Sequence, residues 1–382
     1  MELLWKKRKK YRMALFLCIF LSLFLAGCTV NKESELHSFK NHQKEPGKEA
    51  IPPSFFGQEI KLPIQIEQGQ FNSMSSWLNN EEIVYITNVG LGSHVYTYNI
   101  FTGKNQLIFE SESPVASVTA SPSGERLLVH TAPTTFEGII TIIDRNGNEI
   151  MSERIEAFDF VFEWNPYDED QLLLSSFTES WDFSTYQMNL KEKKLTPIQL
   201  KEPFVGWKSK EELVYLDWGQ EEALLFAPLK KKSIFSEQDD TILDKIYYMK
   251  AIKNLIMTIT VPSDKINESA YTFLSSDLNK LADLNIPHLT RFSDWLIPYF
   301  DFDEGDHFYT FAPLYSSEAD TYAEGFQLLS LNIKNGDEKV LFENLENEPL
   351  SCSPNGSHCL YGFYFEKLIN MDSKEIMPII KE

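Results

Sequence analysis

The sequence predicts an all-β protein, a β-propeller of four-stranded antiparallel blades, and three observations carry that reading. Short runs rich in Val, Ile, Tyr, Phe and Thr alternate with polar turns, as strands do. The runs recur at close to the spacing of one blade. Helical periodicity is nearly absent: "DDTILDKIYYMKAIKNLI" (239–256) has a β-branched and aromatic run that fits the repeat better than a helix.

The clearest unit is "PVASVTASPSGERLLVH" (114–130), followed by "GIITIIDRNGNEI" (138–150). The first strong apolar residue after each polar turn gives Ile83, Leu127, Leu172, Leu213, Leu255, Phe308 and Leu360. The gaps are 44, 45, 41, 42, 53 and 52 residues. Second strands such as "RLLVH" and "QLLLSS" are nearly continuous apolar runs, as expected of strands covered on both faces. Outer strands alternate. "HVYTYNI" is closed by a turn at Thr102, Gly103 and Lys104, and Asn335-Gly336 supplies the same chemistry later. Seven blades are favoured. Six is the alternative, if an irregular module inserts where the spacing widens around Phe308. A sandwich or barrel is the runner-up, since neither needs so even a repeat.

Trp77, Trp164 and Trp207 stand just before the polar turn, and Trp295 lies near the equivalent place. A recurring aromatic beside a recurring turn points to packing between blades rather than to a row of ligand platforms.

The amino terminus has a different logic. Six basic residues between Lys6 and Arg12 precede the uncharged "MALFLCIFLSLFLAG" (13–27). That is the order of a secretory signal peptide, and the run is short of the roughly 20 residues of a spanning helix. It ends in Leu25, Ala26, Gly27 and Cys28, which resembles the lipobox of bacterial lipoproteins. The resemblance implies cleavage before Cys28 and transfer of a diacylglycerol to its thiol. Residues 1–27 are the signal peptide, 28–53 a polar lipidated tether, and 54–382 one propeller domain. At roughly 5–6 Å × √n the tether reaches on the order of 25–30 Å. His37 and His42 lie in it, with nothing to fix them as ligands.

The formal charge is −21, and it becomes −26 once residues 1–27, with six basic residues and one acid, are removed. So acidic a chain is repelled by nucleic acid and by anionic headgroups. The partners expected are the membrane, through the lipid anchor, and a protein or envelope component. The expected location is the outer face of the bacterial cell membrane.

Lipobox, short acidic tether and the degenerate "SPSGERLLV" repeats together resemble the YqgU-like β-propeller lipoproteins of Bacillus and relatives. The likeness covers essentially the whole chain. It implies six blades, whereas the repeats count seven, and it supplies no catalytic residue.

Two clusters invite chemistry. Cys352 and Cys359 flank the polar turn of "CSPNGSHC", so strand pairing brings them within disulfide reach; two unpaired thiols, or a metal site with His358, are the alternatives. Asp301, Asp303 and Asp306 surround Gly305 in "DFDEGDHF", a weak candidate calcium loop that lacks the full pattern and its terminal Glu. No other cofactor is indicated. "SPSGE" and "SPNGS" are turns, not nucleophile elbows, and no zinc-protease, P-loop or dinucleotide motif occurs. His94, His130, His288, His307 and His358 are separated in sequence, although a propeller axis can gather distant residues. A binding or scaffold module ranks first, a cell-envelope hydrolase or lyase at the propeller funnel second, and a small-ligand or metal receptor third. An acid and His cluster at the funnel would favour the enzyme; an exposed aromatic patch on one face would favour a protein partner.

Overall fold

The apolar runs become strands, and the polar turns between them become hairpins. The computed structural model describes residues 59–219, 224–292 and 294–381. The signal peptide, the lipobox residues Leu25 to Cys28 and the tether lie outside the described residues. Seven four-stranded sheets follow one another along the chain, each with its strands in sequence order. We number them blades 1 to 7, spanning 70–111, 115–156, 159–198, 205–246, 248–287, 300–345 and 350–378. Pairing within every blade is antiparallel.

First strands touch between blades 1 and 2, 4 and 5, 6 and 7, and 7 and 1, and Trp207 of blade 4 bonds Glu163 of blade 3, which makes them the inner strands of a ring. They are Gln70–Trp77, Val115–Ala120, Asp159–Trp164, Val205–Trp207, Tyr248–Ile252, Phe300–Phe302 and Leu350–Cys352. Seven apolar clusters fill the seven junctions, including one in which Trp77 and Ile83 of blade 1 pack with Leu360 and Leu368 of blade 7. A blade is apolar on both faces and must bury both. Complete burial of a side chain such as Phe308 is worth about 1.5–3 kcal/mol, so the ring is stable only when every junction is filled.

The ring closes without a shared strand, because blades 1 and 7 each come from one end of the domain. Ile64 bridges Ile380 in parallel, Met74 N donates to Tyr364 O at 2.9 Å, and the Trp77 indole donates to Ser351 O.

The last residue of each inner strand pairs with the apolar residue after the turn: Trp77 with Ile83, Ala120 with Leu127, Trp164 with Leu172, and Trp207 with Leu213. Ile252 with Leu255 and Phe302 with Phe308 continue the series. In blade 7 the pair is Cys352 with Cys359, so the repeat position there is Cys359, one residue before Leu360. Trp295 does not hold this position. It belongs to a separate three-stranded sheet (Leu289–Arg291, Asp294–Leu296, Ser317–Glu318) inserted around blade 6, and Phe302 stands where a tryptophan was expected. This insertion widens the spacing at Phe308 while leaving blade 6 its four strands. Among the described residues no helix is long and apolar enough to cross a membrane.

Candidate functional site

Strand alternation divides the ring into two faces. Turns between strands 1 and 2 and between strands 3 and 4 of a blade lie at one end, here the turn face. Turns between strands 2 and 3, and the links from blade to blade, lie at the other, the connection face. Nineteen large apolar side chains are exposed among the described residues. Fourteen are on the connection face, among them Leu91, Phe136, Trp181, Phe204, Phe292 and Phe363. Four (Leu107, Leu281, Val340, Ile376) are on outermost strands, and Phe235 alone is on the turn face. Scattered exposed apolar residues need no explanation, but segregation onto one face does.

A cavity of about 980 Å³ opens on this face between blades 7 and 1, with Phe71 and Tyr364 among its walls beside Asn72 and Asn88. The Asn72 amide donates to Asn88 Oδ1 at 3.1 Å across the first hairpin.

Three charges from different blades converge at the inner strands. Lys250 of blade 5 reaches past blade 4 to Glu163 of blade 3, with Nζ 3.8 Å from Oε2. Blade 4 has Gly206 at the inner strand there, and a Cβ on it would lie 2.6 Å from Ala251 Cβ, so the missing side chain lets blades 4 and 5 meet. Asp301 of blade 6 accepts the Cys352 backbone N–H of blade 7 at 2.6 Å. Burial pushes the Asp301 carboxyl up to about 6, against the Cys352 and Phe302 amides and the Lys250 charge. Burial raises Glu163 too, and Lys250 opposes it.

The acidic loop does not act as one unit. Asp303 is buried and accepts from the backbone N–H of Gly305 and of His307 (2.8 Å each), His307 Nδ1 (3.0 Å) and Tyr309 Oη (2.9 Å). Gly356 of blade 7, at φ +68°, rests against Asp303 Oδ2, where a Cβ would come within 2.4 Å. Asp303 thus ties its own hairpin together, and blade 7 packs on it while Glu304 N donates to Pro354 O at 2.8 Å across the junction. Asp301 serves Cys352, and Asp306 pairs with Lys334. Among the described residues no three His, Cys, Asp or Glu side chains are grouped to hold a metal ion.

Cys352 and Cys359 face each other with Cα atoms 3.9 Å apart, and their sulfurs meet as a disulfide. The five histidines do not gather. His94 contacts Tyr96, His130 packs on Phe160, His288 bonds Ser269, His307 bonds Asp303, and His358 bonds Ser357. Sequence reasoning missed both the apolar face and the inner charges. Their members are far apart in the chain and meet only once the ring is built.

Comparison with known proteins agrees with this architecture. The model of the YqgU-like 6-bladed beta propeller domain family matches residues 99–362. The uncharacterized lipoprotein YqgU of Bacillus subtilis (strain 168) is 27% identical over 322 residues, covering 84% of this chain and 86% of its own. Among solved structures, the uncharacterized protein lmo1340 from Listeria monocytogenes EGD-e has a TM-score of 0.77 at 21% identity, covering 85% of this chain and 98% of that one. The β-propeller domain of the Trilobed protease from Pyrococcus furiosus, described as having an open velcro topology, has a TM-score of 0.55 at 12% identity, covering 82% and 99%. The family description counts six blades; the matched span here holds blades 2 to 6 whole and parts of blades 1 and 7. The chain belongs to the YqgU-like β-propeller family.

Proposed function

We propose that this protein is a lipid-anchored binding module of the cell envelope whose connection face docks a polypeptide partner. The observation that carries the reading is the fourteen-to-one division of exposed large apolar side chains between connection face and turn face. Large apolar surface confined to one side is the usual mark of an interaction site. The anchor is Cys28, read from L-A-G-C, and the lipoprotein name of the Bacillus subtilis relative supports it. Two acyl chains hold the protein stably at the outer surface of the membrane. The chain's strongly negative charge argues that the apolar face turns to a protein rather than to anionic headgroups.

The test is site-specific photo-cross-linking in cells. A photoreactive residue at Leu314 or Phe363 should give discrete adducts, and one at Phe235 should give none. Equal labelling from both faces would remove the reading.

A second reading, a hydrolase or lyase acting at the funnel, has one observation in its favour: Glu163 and Lys250 pair at the inner strands, and the Lys250 charge is felt by the buried Asp301. It ranks behind because the lysine is already paired with Glu163 and Asp301 already accepts the Cys352 amide. Hydrolysis of purified envelope glycan that is lost in both Glu163→Gln and Asp301→Asn would reverse the order.

A further inference from the structure

Trp181 combines two properties that a folded chain seldom joins. It lies in the turn between the strands Gln171–Phe177 and Phe183–Asn189 of blade 3, closed by Thr178 N donating to Asp182 O at 2.8 Å. Its φ is +66°, in the left-handed region where a Cβ is penalised and glycine is the default. It is also 62% exposed, so burial of the ring does not offset the strained backbone. Strain kept by a bulky residue at a surface position points to function.

The ring is not isolated. Phe204, 60% exposed, comes from the link between blades 3 and 4, and both rings rest on the buried Phe177 at centroid distances of 5.7 and 5.9 Å. Two exposed faces on one buried aromatic make a rigid apolar anchor, and tryptophan is the side chain most enriched at interaction hot spots.

Charge says what fits. Glu179 and Asp182, both exposed, share the turn with Trp181, while Lys201, in the same link as Phe204, is held by Asp239. Elsewhere the chain uses its aromatic faces for cations: Arg291 lies 5.5 Å over Phe292, which also has a positive φ (+53°) and is 86% exposed. Among the described residues no cation of the chain lies over Trp181 or Phe204. Rings flanked by carboxylates select a cation, by ring quadrupole and by direct attraction.

We infer that Trp181 and Phe204, seated on Phe177 and flanked by Glu179 and Asp182, form the anchor through which the connection face grips a lysine- or arginine-bearing polypeptide segment. The inference rests on the proposed docking function and names the chemistry of the partner. Anionic partners, including anionic lipid surfaces, are repelled at the same spot.

The test uses the full chain in detergent and a fluorescently labelled hexalysine peptide, with neutral hexaglutamine as control. Trp181→Gly is the informative variant, because it removes the ring, keeps the net charge and suits the left-handed turn. Its affinity for hexalysine should fall at least tenfold, while Tm stays level or rises. Unchanged affinity would show that bulk negative charge alone binds the peptide, and would overturn the proposal. A fall in Tm would show that the ring holds the turn together and would overturn the strain argument. Trp181-dependent binding to phosphatidylglycerol vesicles would overturn the polypeptide assignment. Cross-linking from Phe363 that persists in Trp181→Gly, together with unchanged hexalysine affinity, would leave the docking function standing and this anchor rejected.

Discussion

Trp77 donates its indole N–H to the carbonyl oxygen of Ser351 at 2.9 Å, joining the first blade to the last. Trp207 makes the same bond to Glu163 at 3.3 Å, joining blade 4 to blade 3. Ser351 and Glu163 each stand one residue before the end of an inner strand, so the two bonds are copies of one device. Trp164 occupies the matching position in blade 3, but its buried Nε1 finds no acceptor among the described residues.

Trp77→Phe keeps most of the ring and deletes the donor. The Ser351 carbonyl then loses its cross-blade partner, and we expect a loss of about 1–2 kcal/mol. Urea unfolding should show a lower midpoint with an unchanged slope. A midpoint equal to wild type would mean that the seam does not depend on this bond.

The disulfide at the matching position in blade 7 closes a short loop. Chain entropy gives it about 2–3 kcal/mol. Reductant should lower Tm of the wild-type chain and leave the Cys352→Ser, Cys359→Ser double variant unmoved. Mass spectrometry of a non-reduced digest checks the bond directly. Full alkylation of both cysteines in denaturant without reductant would rule it out.

Asp301 carries a pH signature. Its folded-state carboxyl, raised by burial to about 6, lies above its ordinary 3.8. The folded chain therefore holds that proton more tightly than the unfolded chain. The stability it contributes is fully present below about pH 4 and is lost as pH rises through about 6, at most about 3 kcal/mol. Asp301→Asn keeps an oxygen for the Cys352 amide and removes the charge. Relative to wild type it should gain stability between pH 4 and pH 7; parallel Tm curves over that range would contradict the assignment.

Gly206→Ala should place a methyl against Ala251 and cost about 1–3 kcal/mol by overpacking the blade 4 to blade 5 junction. Adding Ala251→Gly should recover part of the loss. Additive destabilisation in the double variant would show that the two positions do not press on each other.

Cys28→Ala should abolish incorporation of a palmitate analogue and impair the normal cleavage of residues 1–27. Acyl labelling equal to wild type would remove Cys28 as the anchor.

Much of the fold was legible because each blade repeats one local bargain: a polar turn followed by an apolar strand covered on both faces. Six of the seven repeat positions read from the turns are true register partners of an inner-strand end. The seventh slipped by one residue because a cysteine pair replaces the Trp–aliphatic pair, and the sequence pattern ranks Leu360 above Cys359. Trp295 was misplaced because the inserted sheet borrows the same aromatic composition as a blade. The apolar connection face was not legible. Phe204, exposed, and Phe308, buried, look alike in a sequence, and only the direction of the strands tells which end of a blade a turn occupies. Trp181 gave a faint signal, an aromatic in the polar turn "TESWD", but its left-handed backbone has no sequence mark.

On the turn face the connections are short and stereotyped, as at 121–125 and 353–357, and several dock directly on the preceding blade. Connections on the other side vary from the two residues at 90–91 to the long 313–325 segment. The regular turns of the framework and the variable loops of the connection face are therefore written in separate stretches of chain. A loop such as 90–91 lies outside the clusters between blades, whereas the 313–325 segment sends Ala319 and Tyr322 onto the cluster between blades 6 and 7. Exchange of the former between relatives should therefore leave melting behaviour unchanged, and exchange of the latter should not.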